Sequence, residues 1–169
     1  MLGSVSISRA NGMSFVRLRS ADTEDYRAAR ELYGQCFPIH EQREEASQRT
    51  IMADGEYFFT QIMSGDRTIG CILYWETADF IYVEHFFISA ALRNLAYGRR
   101  TLEWITGKEK PVILEIDPVT DELTKRRKGF YERAGFHANE FSHIHPPYQP
   151  CGNERPSVDP DVIPEGRFR

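Results

Sequence analysis

Several patterns that would assign this sequence to a class of proteins are missing from it. Its 169 residues contain no run of about 18 apolar side chains, the length that a membrane-spanning helix needs. The net charge is -4, so the chain lacks the excess of lysine and arginine with which proteins bind nucleic-acid phosphates. Its first residues lack the basic segment and apolar stretch of an export signal. These absences predict a protein that acts neither on a membrane nor on nucleic acid.

Cysteines and metal ligands are also few. The three cysteines, Cys36, Cys71 and Cys151, are odd in number and far apart, which favours free thiols in a reducing compartment over a disulfide framework. His143 and His145 precede Cys151 in a spacing that matches no structural zinc site. We therefore expect a cytoplasmic protein without a metal.

The chain does contain an ordinary balance of 41% hydrophobic and 27% charged residues, which suits one globular domain. We expect a flexible leader at residues 1–13, the domain at 14–149, and a proline-rich, extended or disordered tail at 150–169. Apolar periodicity and turn signals predict strands at 14–19, 57–63, 68–75, 80–88, 112–116 and from 136, and helices between 22 and 38, over 41–52, over 97–106 and between 121 and 135.

The order of these elements predicts the fold class. Strands joined by short turns form an antiparallel meander, and the later strand–helix–strand segment requires a crossover that adds one parallel pair. The strand at 80–88 is apolar on both faces, which places it in the centre of the sheet. We expect an α+β fold in which helices flank both faces of a mixed, mainly antiparallel sheet.

The turn after this central strand is a candidate anion site. Arg93-Asn94-Leu95-Ala96-Tyr97-Gly98 opens the helix at 97–106, where unpaired N–H groups and the helix dipole favour a phosphate. A dinucleotide-binding fingerprint needs three glycines at this spacing, and only Gly98 is present. Close packing of the helix is a structural explanation for Gly98 and the small Ala96.

Two segments carry a resemblance to a known family. Ile88-Ser-Ala-Ala-Leu-Arg93-Asn-Leu-Ala96-Tyr-Gly98 resembles the acyl-CoA motif of the GNAT N-acetyltransferase superfamily, with Ala96 in place of the usual first glycine. Gly129-Phe-Tyr-Glu-Arg-Ala-Gly-Phe136 resembles the second signature of that superfamily, a helix with an aromatic pair that ends at Gly-Phe. The resemblance covers about residues 14–145, and it implies an acetyl-CoA-dependent acyltransferase that acts on amino groups.

The resemblance implies where acetyl-CoA binds. In this superfamily the pyrophosphate rests on backbone amides of the turn, and the pantetheine arm pairs like an extra strand with the end of the fourth strand. Carried over to this sequence, the cofactor-binding residues are Phe86, Phe87, Ile88, Arg93, Asn94, Leu95, Ala96, Tyr97, Gly98 and Arg99.

Acetyl transfer needs a base for the amine and an acid for the departing thiolate. Glu84 is expected on the face of Phe86 and Ile88, where a carboxylate is costly unless it has a partner or a task, and it is our first choice of base. Glu115, equally out of place in its apolar strand, is the second choice and matches the base position of some relatives. Tyr131 resembles the family tyrosine that protonates the thiolate. An ion pair with an arginine is the competing structural explanation for either glutamate.

The loop between the first two helices forms a wall of the acceptor pocket in this superfamily, which makes Glu41 and Arg43 candidate substrate-binding residues. We expect direct attack on acetyl-CoA by a primary amine, of a small molecule, in a ternary complex. A CoA-binding sensor without turnover and an interaction scaffold with this fold are the alternatives. The sequence leaves open the identity of the amine and whether the protein is a monomer or a homodimer.

Overall fold

A computed structural model describes residues 7–139 and, in addition, the backbone of residues 165–166. The strands are β1 (Ile7–Ala10), β2 (Met13–Leu18), β3 (Tyr57–Ser64), β4 (Arg67–Glu76), β5 (Ile81–Ile88), β6 (Val112–Leu114), β7 (Ala138–Asn139) and β8 (Glu165–Gly166). The helices are α1 (Glu24–Cys36), α2 (Glu45–Ile51), α3 (Tyr97–Thr106) and α4 (Glu122–Arg133), with single 3₁₀ turns at Ile39–Glu41 and Ala90–Leu92.

One six-stranded sheet organises the domain, with its strands in the order β1 to β6. All neighbours pair antiparallel except β5 and β6, which are parallel as the strand–helix–strand order predicts. Helices α1 and α2 cover one face, over a cluster that includes Tyr26 and Phe59. Helices α3 and α4 cover the other face, over a cluster that includes Ile72 and Leu102. The predicted fold class is confirmed.

The helix ends follow from local capping chemistry. Thr23 caps α1, because its hydroxyl accepts from the Tyr26 N–H at 3.2 Å. Asp121 caps α4 in a reciprocal capping box with Thr124. Gly135 follows α4 with φ of 90°, a left-handed conformation that glycine adopts without steric cost. Among the described residues, no helix is both long enough and apolar enough to cross a bilayer.

The predicted leader over residues 1–13 is wrong from Ile7 onward. Ile7–Ala10 forms an edge strand that pairs with β2, and Ala10 faces Met13 across a two-residue turn. Asn11 and Gly12 both have positive φ, 51° and 72°, as the tight primed turn of a hairpin requires. The Asn-Gly pair was the one sequence feature that indicated this hairpin, because the polar strand before it shows no alternation of apolar residues. Residues 1–6 lie outside the described residues.

Helix α2 is shorter than the predicted helix over 41–52. The chain makes a 3₁₀ turn at Ile39–Glu41, and α2 begins only at Glu45. In between, Gln42 has an extended backbone and donates its side-chain amide to the Phe37 carbonyl at 2.7 Å. Tertiary hydrogen bonds of this loop therefore override the helical tendency of its sequence.

The end of the chain contributes one short strand. Glu165–Gly166 pairs antiparallel with Ala138–Asn139 and lies beside β6. Residues 140–164 and 167–169 lie outside the described residues, so most of the predicted tail at 150–169 stays a prediction.

Gly70 is the point of closest approach between β4 and β5. A β-carbon at Gly70 would overlap the Phe87 carbonyl oxygen and lie 3.0 Å from the Ile88 Cα. Both obstacles belong to the backbone of the central strand, so neither can move aside without breaking the pairing of Gly70 with Ile88.

Replacing Gly70 by alanine should therefore lower the free energy of unfolding by at least about 2 kcal/mol, as overpacking in a closed core does. Gly55→Ala is the matched control, because nothing lies within 4 Å of the added methyl group. Urea denaturation of both variants and the wild type measures the difference. Equal stability of the two variants would contradict the close approach of the strands.

Candidate functional site

The sheet opens between β5 and β6. Their Cα pairing runs from Ile81↔Val112 to Val83↔Leu114 and then ends, although β5 continues to Ile88. Within the described residues, His85 to Ile88 pair with β4 on one side, and no strand pairs with the last five residues of β5 on the other. This open edge is what a pantetheine arm would need to pair with Phe86, Phe87 and Ile88. Their assignment to cofactor binding stays a prediction, with the geometry in its favour.

The amino terminus of α3 lies just beyond the end of β5. Its N-cap, Ala96, offers no side-chain hydrogen bond, and the first turn contains no acidic residue. The preceding turn from Arg93 to Ala96 is exposed. Arg99 and Arg100 follow in the first helical turn, where cationic side chains are unfavourable beside the positive end of the helix dipole. An anion bound to these N–H groups would reverse that electrostatic penalty.

The two small residues of this turn have different physical roles. Ala96 has φ of 61°, a left-handed conformation that costs an alanine more than a glycine. Gly98 packs closely against α4, since a β-carbon there would lie 3.1 Å from Phe130 Cζ and the ring would have to shift by a few tenths of an ångström. The packing explanation for Gly98 therefore holds, and it is compatible with a phosphate on the backbone of the same turn.

Glu84 lies on the opposite side of the sheet from the one expected. The register of β4 and β5 passes from Leu73↔His85 to Tyr74↔Val83, so Glu84 is the extra residue of a β-bulge. Beyond the bulge the alternation is reversed. Phe86 and Ile88 pack on the α3 side, while Glu84 lies with the α1-side residue Tyr57. The prediction that Glu84 shares a face with Phe86 and Ile88 is wrong. It assumed that successive side chains point to alternate faces of the strand, and the residue inserted by the bulge breaks that alternation.

Glu84 is a buried, ion-paired carboxylate. Its side chain is only 4% exposed and forms a salt bridge with Arg43, while the Tyr57 hydroxyl lies 3.4 Å from Oε2. Burial by itself would raise the pKa of Glu84, but hydrogen bonds and charges from His85 and Arg43 outweigh it and hold that pKa below the usual value. A low-pKa carboxylate closed off from solvent is a poor proton acceptor. The prediction of Glu84 as base stays untested, and its surroundings favour the structural explanation.

A second set of hydrogen bonds holds the loop before α2 against β5. His85 Nε2 lies 3.0 Å from the Tyr33 hydroxyl and 2.8 Å from the Glu41 carbonyl oxygen. The Tyr33 hydroxyl also accepts from the Arg43 N–H at 3.2 Å. Arg43 thus positions the loop and neutralises Glu84, which is a different task from the predicted substrate contact. The Glu41 side chain is 48% exposed and lies 3.6 Å from His40.

Glu115 lies where β6 leaves the sheet. It directly follows Leu114, the last paired residue, and it is partly exposed. The Tyr82 hydroxyl donates to Glu115 Oε1 at 3.3 Å. Glu115 therefore lies at the end of the β5–β6 pairing, with the Tyr82 hydroxyl as one of its partners.

Tyr131 lies on α4 among aromatic neighbours on the α3 side of the sheet. Its ring packs edge-on against Phe130 at 5.1 Å and Phe136 at 5.7 Å, measured between ring centroids. Burial raises the pKa of Tyr131 to about 12, and the charge of Arg127 only partly offsets that rise. The phenol is therefore protonated at any physiological pH, as a proton donor must be.

The described residues contain no group of three or more histidine, cysteine, aspartate or glutamate side chains placed to hold a metal ion. His143, His145 and Cys151 lie outside those residues. Cys36 and Cys71 are free thiols, and burial raises the pKa of both.

The resemblance implied an open strand edge beside an exposed helix start. The structure has this geometry at β5 and α3, and the second signature lies at the end of α4. The sequence also matches the family model for the acetyltransferase (GNAT) domain over residues 20–143. The chain belongs to the GNAT acetyltransferase family.

Known GNAT proteins agree with the fold. A structure described as a GNAT-family acetyltransferase from Bacteroides thetaiotaomicron is 34% identical, with a TM-score of 0.75 over 90% of this chain and 84% of that one. Arabidopsis thaliana Naa50, solved with the bisubstrate analogue CoA-Ac-MVNAL, has a TM-score of 0.62 at 15% identity over 94% and 99% of the two chains. YjbC of Bacillus subtilis (strain 168), named as an acetyltransferase, is 27% identical over 63% of this chain and 55% of its own length. The chain thus spans about half the length of that curated relative.

Sequence reasoning missed three tyrosines of this GNAT site. Tyr33 and Tyr57 reach Glu84 and its neighbours from α1 and β3, and Tyr82 reaches Glu115 from β5. Of the three, only Tyr82 could have been associated with the site from the sequence, because it lies two residues before Glu84 in the same strand. The other two come from distant segments, and only the folded sheet brings them to the site.

The left-handed conformation of Ala96 makes a testable prediction. Ala96→Gly should raise the free energy of unfolding by about 1 kcal/mol, because glycine adopts positive φ without steric cost. Ala46→Gly in α2, where the backbone is helical, should lower it by about 1 kcal/mol. Thermal or urea denaturation compares the two variants. A loss of stability in both would contradict the left-handed turn.

The Glu84–Arg43 pair makes a prediction about stability and pH. Glu84→Gln should lower the free energy of unfolding at pH 7 by about 3 kcal/mol, because it removes the negative charge that balances a largely buried arginine. A depressed pKa stabilises the folded state above the unfolded pKa of about 4.5, and this contribution is lost as the pH falls through the folded value.

The difference between wild type and Glu84→Gln should therefore shrink below about pH 4.5. Glu24→Gln is the control, since that side chain is exposed and its loss should leave stability unchanged. Urea denaturation between pH 3 and pH 8 measures all three proteins. A difference that stays constant down to pH 3 would contradict the depressed pKa of Glu84.

Proposed function

We propose that this protein transfers an acetyl group from acetyl-CoA to a primary amine. The observation that carries the proposal is the exposed, uncapped start of α3 beside the open edge of β5. The N–H groups of the turn suit a diphosphate, and the open edge suits the amide groups of a pantetheine arm. The Naa50 fold neighbour was solved with a CoA-containing analogue, which supports the same use of the fold here.

The transfer needs one proton acceptor and one proton donor. The amine nitrogen attacks the thioester carbon, a C–N bond forms, and the C–S bond breaks to release a thiolate. Glu115 takes the proton that the nitrogen loses, directly or through a water molecule, because it is partly exposed at the split between β5 and β6. Glu84 remains the alternative base, although its ion pair with Arg43 opposes that role.

Tyr131 supplies the proton to the thiolate. It is protonated at working pH, since burial raises its pKa to about 12. It packs against the same cluster as Phe86 and Ile88, the strand residues proposed to pair with the pantetheine arm. Of the aromatic pair Phe130 and Tyr131, only Tyr131 has a proton to give, and Phe130 packs against Gly98.

A small-molecule amine is the acceptor class that we propose. The net charge of -4 favours a cationic acceptor over one held on nucleic acid. Glu41, half exposed at the loop before α2, is the remaining candidate for contact with the acceptor, now that Arg43 is paired with Glu84.

The proposal is tested by acetyl-CoA binding and by release of free CoA thiol. Isothermal titration with acetyl-CoA should show a single site, and a panel of polyamines, aminoglycosides, amino acids and short peptides should include at least one amine that drives thiol release. Binding without turnover of any amine would favour a CoA sensor. Absence of binding would favour an interaction scaffold, and either result would overturn the proposal.

Variants of the two proton-handling residues should separate chemistry from binding. With an accepted amine, Glu115→Gln and Tyr131→Phe should each lower kcat by about 100-fold while acetyl-CoA affinity stays near that of the wild type. Glu24→Gln and Tyr26→Phe are the controls, because both side chains lie on α1, away from the split. If a variant keeps wild-type kcat, its residue is not the base or the acid.

A further inference from the structure

Tyr82 and Glu115 face each other where β5 and β6 separate. Tyr82 pairs with Ile113, the middle of the three residue pairs between β5 and β6. Glu115 follows Leu114, the last residue that pairs with β5. Backbone pairing with β5 therefore holds β6 up to Leu114. At Glu115, where the two strands separate, the Tyr82 hydroxyl donates a hydrogen bond to Glu115 Oε1 at 3.3 Å.

The Tyr82 phenol is a permanent donor in this position. Burial, and then the carboxylates of Glu115 and Glu84, raise the pKa of Tyr82 well above its ordinary value, while the Arg43 guanidinium acts in the opposite direction. The phenol is thus protonated throughout the range of an enzyme assay. Its aromatic side chain has only two torsions, so little entropy is lost when it holds a partner.

The charges that face this contact come from two elements. Glu84 lies two residues beyond Tyr82 in β5, and Arg43 reaches it from the loop before α2. Their ion pair balances the charge of Glu84, the second carboxylate that acts on the Tyr82 phenol.

We infer that Tyr82 is a positioning residue for proton transfer, holding the Glu115 carboxylate at the split so that it can accept the proton of the acceptor amine. The proton passes from nitrogen to Glu115, and the Tyr82 hydroxyl keeps its own hydrogen throughout. The inference rests on the proposed function, because it takes Glu115 as the base. It adds the residue that orients that base.

Tyr82→Phe tests the inference, since it removes the hydroxyl and keeps the ring. With an accepted amine, kcat should fall about 10-fold while the KM for acetyl-CoA stays unchanged. The fall in kcat without a change in KM is what a residue that orients the base, rather than one that binds the cofactor, should produce. The matched control is Tyr26→Phe, which removes a similar 3.0 Å phenol–carboxylate bond, to Glu45, away from the split.

A double-mutant cycle separates this role from a general loss of structure. If Tyr82 acts through Glu115, adding Tyr82→Phe to Glu115→Gln should lower kcat no further. Effects that multiply, or a kcat of Tyr82→Phe equal to that of Tyr26→Phe, would overturn the inference while the proposed function stands. Failure of the wild type to acetylate any amine in the panel would instead overturn the proposed function, and this inference with it.

Discussion

The early end of the pairing between β5 and β6 is the constraint on which the site depends. Three residues of parallel ladder hold the two strands together, and the remaining five residues of β5 are open on that side within the described part of the chain. This geometry exposes the backbone of a central strand without making it an outer edge. The start of α3, Phe130 of α4 and Phe86 of β5 come together on one face of the sheet. The Tyr82–Glu115 contact lies where the β5–β6 pairing ends.

The β-bulge at Glu84 determines which side chains of β5 lie on each face of the sheet beside this opening. It turns Glu84 and His85 toward α1, and it leaves Phe86 and Ile88 on the side of α3 and α4. The loop before α2 is then held to β5 through Arg43 and Tyr33. A buried ion pair contributes little net stability compared with apolar packing, but it fixes one arrangement, since either partner alone would be an uncompensated charge.

Elements with strong periodicity or clear end signals could be predicted closely. Helix α3 has the predicted bounds. Strands β3 and β5 differ from prediction by one residue at one end, and β4 by one residue at each end. Strand β1 was missed, because its signal was the Asn11-Gly12 turn rather than any apolar pattern. The start of α2 was misplaced, because hydrogen bonds to α1 and β5 compete with the helix there.

The candidate site was only partly predictable, and the reason is geometric. Glu84 and Glu115 were both recognisable as carboxylates in apolar strands, but alternation alone placed Glu84 on the wrong face. The bulge that moves it is a property of how β4 and β5 pair, and a single inserted residue leaves no mark in the local sequence. Tyr33 and Tyr57 come from segments far from Glu84, so no spacing pattern could associate them with it.

The sequence by itself determined most of the elements and the mixed sheet, because these depend on local periodicity and turn chemistry. It also contains the two segments that resemble the signatures of the GNAT family. Only the tertiary structure decided that Glu84 is buried in an ion pair with Arg43 and that Glu115 lies at the end of the β5–β6 pairing. That decision depends on Arg43 reaching across from the loop before α2, and on β6 leaving the sheet at Glu115. Both are long-range contacts, which depend on the packing of the whole domain rather than on any one segment.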